Sequence, residues 1–216
     1  MPARMANPAL SVPGAFDALQ ALAIAAGKGG LPRTLTSLVH LRVSQINGCS
    51  VCVDVHAQDL KDEGEPDERI WSVGAWRDAP FYTGAERAAL ALAEAATRLS
   101  DRADPVPDEI YAEAARHFGE PALACLILHI TLTNAWNRLN VTTRQVPHEW
   151  WPATVAAGDW SLLDEIGEAT GLPVPQQDQP GHRGGQGHAR GEQQADPQAG
   201  QERSPVGQQR AEHGDR

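Results

Sequence analysis

From Val174 to Arg216 the chain contains no Leu, Ile, Phe, Trp or Tyr. A segment so poor in large apolar side chains cannot bury enough surface to offset the entropy of ordering it, and residues 174–216 are expected to be disordered. Any fold must therefore come from the residues up to Pro173. Those are rich enough to build a core, since hydrophobic residues make up 41% of the whole chain. His182, His188 and His213 lie in the tail and read as parts of a solvated spacer.

Within the first 173 residues the apolar positions recur at helical spacing, and no useful stretch alternates with period two. Phe16, Leu19, Leu22 and Ala23 mark a helix from Ala15 to Lys28, stopped by Gly29 and Gly30. Pro32 opens a second, striped by Leu35, Leu38, Val39 and Ile46 and broken at Asn47-Gly48. Cys49 begins a third, which runs to about Glu63, and a shorter one covers Asp67 to Trp76. Thr83 and Glu86 have the spacing of a capping box ahead of an Ala/Leu-rich helix to Leu99. The small side chains of that helix leave surface expected to meet a neighbouring subunit. Pro107-Asp108 starts a helix to about Phe118. Pro121 opens the most apolar one, with Leu123, Leu126, Ile127 and Ile130 on its main face and Cys125, Leu128 and Leu132 opposite, so that it is expected to be buried all round. Ser161 with Asp164 caps a last short helix. The predicted class is all-α. The chain divides into an N-terminal segment (1–14), a helical domain (15–146), a helical extension (147–173) anchored by Trp150 and Trp151, and the tail (174–216).

Charge narrows the function. Lys and Arg number 18 against 28 Asp and Glu, a net charge of −10, and no basic run occurs. A nucleic-acid surface needs clustered cations, so no nucleic-acid partner is expected. No stretch approaches the roughly 20 apolar residues that span a bilayer, and Met1–Phe16 has no apolar signal core. A cytoplasmic location without membrane partners is expected. Three cysteines in a reducing compartment are not a disulfide framework. Cys125, alone in an apolar run, reads as a small core residue.

The chemistry concentrates in Cys49-Ser50-Val51-Cys52-Val53-Asp54-Val55-His56. Cys52 follows Cys49 by three residues and His56 follows Cys52 by four, so on a helix all three share one face. At the helix N-terminus free N–H groups and the macrodipole favour a thiolate, and a neighbouring imidazole can accept the proton of Cys52. A thiolate attacks a peroxide O–O bond to give a sulfenic acid, which a second cysteine one turn away resolves as a disulfide. Zinc would need a fourth ligand, for which only distant groups such as His40 or Asp54 are available, so redox use is favoured and neither metal nor cofactor is expected. Haem attachment fails because Val53, not His, follows Cys52.

The run Leu41-Arg42-Val43-Ser44-Gln45-Ile46-Asn47-Gly48-Cys49-Ser50-Val51-Cys52-Val53-Asp54-Val55-His56 closely resembles the core signature of the carboxymuconolactone decarboxylase/AhpD-like alkylhydroperoxidase family, in its cysteine-bearing peroxidase branch. Trp76-Arg77 before Phe81, the stretch Glu86 to Glu94, and Asn134-Ala135-Trp136-Asn137-Arg138-Leu139 resemble its later blocks. The resemblance covers roughly Phe16 to Val141. It implies an all-helical fold assembled as a homo-oligomer, trimer or hexamer, that reduces a hydroperoxide substrate and is regenerated by a thiol or dithiol electron donor. It also implies that Cys52 attacks the peroxide, Cys49 exchanges with the donor, and His56 belongs to a proton relay.

One position departs from the family. The relay glutamate expected twelve residues before the first cysteine is Ser37 here. Glu86 or Glu94 are candidates to supply a carboxylate in its place, although Glu86 reads first as a cap. Trp136 is expected to fill a core or an interface, and Asn137 and Arg138 to satisfy helix-end carbonyls. The expected activity is thiol-dependent hydroperoxide reduction by Cys49, Cys52 and His56. The alternative left open by Ser37 is a dithiol redox or interaction module without turnover. Lactone decarboxylation needs no Cys-x-x-Cys, so the intact pair speaks against it.

Overall fold

The computed structural model describes residues 2–147. The predicted tail, and the extension beyond Pro147 with its Trp150–Trp151 anchors and Ser161–Asp164 cap, lie outside the described residues.

The described residues are all-α, as expected, with no strand among them. The elements are α1 (Pro8–Ser11), α2 (Ala15–Gly27), α3 (Arg33–Asn47), α4 (Ser50–Asp62), α5 (Asp67–Ser72) continued by a 3-10 turn (Val73–Ala75), α6 (Gly84–Thr97), α7 (Asp108–His117) and α8 (Glu120–Thr143). Local chemistry sets the boundaries. Thr83 accepts a hydrogen bond from the Glu86 N–H while the Glu86 carboxylate accepts from the Thr83 N–H, completing the capping box of α6. α3 ends where Gly48 takes a left-handed conformation at φ 66°, which its missing Cβ makes inexpensive. Pro32 sits just ahead of α3 as its N-cap residue. The stretch read as one helix from Asp67 to Trp76 tightens into the 3-10 turn after Ser72.

α3 lies at the centre, packed against α4, α6 and α8. Leu35, Val39 and Val43 face a core shared with Ala89, Leu92 and Ala93 of α6 and Leu123, Leu126 and Ile130 of α8. Leu38 and Leu41 face a second core with Leu60, Ile70, Val73, Trp76 and Leu90. Two apolar faces make α3 a scaffold for the helix that follows it.

Four expectations change. The N-terminal segment is built into the domain: α1 is capped by Asn7, the Arg4 N–H donates to the Thr143 carbonyl at the end of α8, and Gln145 donates to the Met5 carbonyl. The Ala-rich α6 is buried within its own chain by α3, α7 and α8, so its small side chains serve internal close packing and supply no argument for a subunit interface. α8 is not buried all round: Ile127 and Val141 are exposed, and its buried stripe turns polar at Thr133, Asn134, Asn137 and Asn140. Asn134 and Asn137 bond across to α3, with Asn47 donating to both and Asn137 donating to Ser44. Arg138 donates to the mid-helix Asn134 carbonyl, so neither Asn137 nor Arg138 closes a helix end. Cys125 is free and half-buried. A Cβ at Gly29 would lie 2.5 Å from the Cys125 side chain, so only glycine permits this approach of the α2 exit to α8.

Candidate functional site

The bonds from Asn47 to α8 hold the Asn47-Gly48 turn, and with it the start of α4. Cys49 is the N-cap of α4, with its Sγ accepting from the Cys52 N–H at 3.3 Å. Cys49 and Cys52 are joined as a disulfide, their Cα atoms 5.3 Å apart, and both are buried. The pair is thus a redox-capable dithiol at a helix start.

One turn further along α4, His56 Nδ1 lies 3.1 Å from Asp59 Oδ2. Asp59 is the carboxylate bonded to His56; it lies outside the Cys-x-x-Cys…His motif, although its three-residue spacing from His56 is visible in the sequence. Glu86 and Glu94 are engaged elsewhere. Glu86 is pushed up by burial, but hydrogen bonds from Arg69 and Thr83 hold it below the usual carboxylate range. Glu94 is likewise raised by burial and then brought below that range by Arg77, Trp76 and Arg42. Ser37 is buried and donates to Glu63 Oε1 at 3.1 Å. Burial pushes the Glu63 carboxyl up, with Ser37 and Arg33 opposing. Its Oε2 is buried with no hydrogen-bond partner.

Two further histidines join the site. The His40 ring on α3 lies 4.9 Å from that of His56, tilted by 53°, and His40 Nε2 lies 3.1 Å from Nδ1 of His129 on α8. Burial, then the neighbouring His56 and His129, hold His40 well below the ordinary imidazole value. His129 is also lowered by burial, against a hydrogen bond to the Ala26 backbone. No group of three or more His, Cys, Asp or Glu among the described residues is arranged to hold a metal.

The disulfide lies between two cavities. On the Cys52 side, His40 and His56 face Val55, Leu132 and Trp136 across about 170 Å³, a largely apolar space. Trp136 also meets Phe16 edge-on at 6.1 Å, so it packs the core and lines the cavity together. On the Cys49 side a wider hollow of about 470 Å³ is lined by Gly48, Ser50, Arg144 and Pro147. Asn140 borders both.

Residues 12–95 match the carboxymuconolactone decarboxylase family. The chain is 38% identical to the uncharacterized protein YdfG of Bacillus subtilis over 114 residues, 53% of this chain and 76% of that protein. It is 32% identical over 110 residues to the uncharacterized protein YnjA of Escherichia coli, covering 51% of this chain and 59% of YnjA. Among solved structures it resembles a protein of unknown function from Agrobacterium tumefaciens, ATU0492, suggested to be the antioxidant defence protein AhpD. The TM-score is 0.63 at 32% identity, covering 68% of this chain and 98% of the other. The debrominase Bmp8, in complex with 2,3,4-tribromopyrrole, shares the fold at 22% identity and TM-score 0.57 over 72% and 78% of the two chains. The chain therefore belongs to the carboxymuconolactone decarboxylase family, in its AhpD-like form with a Cys-x-x-Cys pair. No helix among the described residues is long and apolar enough to cross a membrane.

Proposed function

We propose that this protein is a thiol-dependent hydroperoxide reductase of the alkylhydroperoxidase type. The observation that carries the reading is the Cys49–Cys52 disulfide at the start of α4, with Cys52 and His56 on the wall of one apolar cavity. The role suggested for ATU0492 points the same way.

In the reduced protein, the Cys52 proton passes to His56, which Asp59 orients through Nδ1. The Cys52 thiolate attacks one oxygen of the hydroperoxide and the O–O bond breaks. The alkoxide leaves with the proton held at His56, and Cys52 becomes a sulfenic acid. The Cys49 sulfur then attacks the Cys52 sulfur, water leaves, and the disulfide forms. An external thiol or dithiol donor supplies the two electrons that reopen it, entering at Cys49 from the wider hollow. The working form is a homo-oligomer located in the cytoplasm.

A single-turnover experiment tests the chemistry. Reduced protein mixed with one equivalent of tert-butyl hydroperoxide is expected to lose two hydrogens within the peptide carrying Cys49 and Cys52. Cys49→Ser is expected to stop at a Cys52 sulfenic acid that dimedone traps. Slow, unselective sulfinic and sulfonic products would contradict the reading.

A further inference from the structure

Asn140 Nδ2 donates to the Cys52 sulfur at 3.3 Å, and both residues are buried. The orientation of this amide is set by a chain of bonds that begins in the N-terminal segment. The Ala9 backbone N–H donates to Asn7 Oδ1 at 2.9 Å. A backbone N–H can only donate, so the oxygen of the Asn7 amide must face it and the nitrogen must point the other way. There Asn7 Nδ2 donates to Asn140 Oδ1 at 2.7 Å, between two side chains each 2% exposed. With its oxygen taken, Asn140 can offer only its N–H₂ to Cys52. Turning over either amide would set donor against donor or acceptor against acceptor in a buried place.

We propose that Asn140 is the donor that stabilises the Cys52 thiolate and that Asn7 is the positioning residue that aims it. This deepens the hydroperoxide-reductase reading and rests on Cys52 as the attacking thiol. A disulfide sulfur is a poor acceptor, whereas a thiolate is an anion for which a preset N–H donor is worth much more. The donor is in place before reduction and needs no reorganisation when charge appears on sulfur. It also distinguishes the two cysteines, since Cys49 is served by the backbone N–H of Cys52 and Cys52 by a side chain from α8. Among the described residues, His56 of α4 and His40 of α3 are the ionisable groups that line the Cys52 cavity besides Cys52 itself, Cys49 is its disulfide partner, and His129 of α8 backs His40. Asn140 and Gln20 are the polar groups that α8 and α2 bring to the same wall besides Thr133, and Arg144 lies on the other hollow.

The test measures the Cys52 thiol without any peroxide. In full-length protein carrying Cys49→Ser, the rate of Cys52 alkylation by iodoacetamide is followed against pH by peptide mass spectrometry. Asn140→Leu is expected to move the midpoint of the alkylation–pH profile up by about one unit, while Cys52 still reacts at high pH. Asn7→Asp still caps α1 but cannot donate to Asn140, so that amide turns its oxygen to Cys52 and the profile moves the same way. Asn7→Ser caps α1 without reaching Asn140 and is expected to give a smaller shift in the same direction. Circular dichroism checks that each variant is folded. An unchanged profile in Asn140→Leu overturns the proposal. Should that variant not fold, unchanged profiles in both Asn7 variants overturn it. A shift in Asn140→Leu alone overturns the role of Asn7. Failure of peroxide turnover would sink the function but leave the thiol profile, and what it says of Asn140 and Asn7, standing.

Discussion

The Ser37 hydroxyl donates to the Glu63 carboxylate, 3.1 Å away, across the α3–α4 interface. The position where the family resemblance places a relay glutamate thus faces a carboxylate reaching in from α4. Glu at 37 alone would set two carboxylates together beside a Glu63 Oε2 that already lacks a partner. Ser37→Glu is therefore expected to destabilise the fold, and Ser37→Glu/Glu63→Gln to recover it. Ser37→Ala, which removes a hydrogen bond to a largely buried carboxyl, should cost about 1.5–3 kcal/mol. Urea unfolding of the four proteins checks this, and Ser37→Glu more stable than wild type would contradict it.

Glu63 also predicts a pH dependence. Its folded-state value is raised by burial, so the folded protein holds this proton more tightly than the unfolded chain. The contribution is fully present below the ordinary value near 4.5 and is lost as pH rises through the raised value. Glu63→Gln should therefore gain stability relative to wild type at pH 7, and the gain should shrink as pH falls toward 4.5. Melting curves across that range read the difference directly.

His40 works in the opposite sense. Its folded value is depressed by burial and by His56 and His129, so the unfolded chain binds the proton more readily. The stability is present above about 6.5 and lost as pH falls through the depressed value. Wild type should lose more stability between pH 7.5 and pH 5.5 than His40→Gln does. Equal losses would mean that His40 is protonated in the fold or solvated.

Glu94 is 5% exposed and accepts from Arg42, Arg77 and Trp76. Glu94→Leu would leave the half-buried Arg42 guanidinium and the Trp76 N–H without their acceptor. The expected cost is about 3–5 kcal/mol, measured by denaturant unfolding, with Glu94→Gln costing less because it keeps one oxygen.

These outcomes depend on pairings of very different legibility. The helices and their order could be read from Gly, Pro and apolar spacing, and so could the shared face of Cys49, Cys52 and His56, because each is a local property of one segment. The Thr83–Glu86 box is local in the same way. The partners of the site are not. His129 meets His40 from 89 residues away and Asn140 meets Cys52 from 88, and nothing in the spacing of α8 says which of its polar residues turns inward. The Leu-rich first half of α8 suggested a helix buried on every side, whereas its second half buries amides because α3 offers Asn47 and Ser44 to bond them. The small residues of α6 looked like an interface because their neighbours α3, α7 and α8 are distant in sequence.

The oligomer is expected through surfaces other than α6. Trp71 is 74% exposed, and Phe81 and Tyr111 are also exposed, and each is a large side chain that a neighbouring subunit could cover. Light scattering on a chain ending at Pro173 should give a trimer or hexamer. A strict monomer at micromolar concentration would contradict the assembly.

Reduction of a hydroperoxide by Cys49, Cys52 and His56 with electrons from a thiol donor is tested by steady-state consumption of tert-butyl hydroperoxide by the full-length protein with dithiothreitol or dihydrolipoamide as donor. Cys49→Ser, Cys52→Ser and His56→Ala are measured beside wild type. Many turnovers per chain are expected for wild type, none above background for Cys52→Ser, and fewer for Cys49→Ser, whose Cys52 sulfenic acid only the added thiol can reduce. His56→Ala should be about 10²–10⁴-fold slower, the usual contribution of a positioned acid–base group. No turnover by folded, reduced wild type with either donor, or turnover that survives Cys52→Ser, would contradict the account.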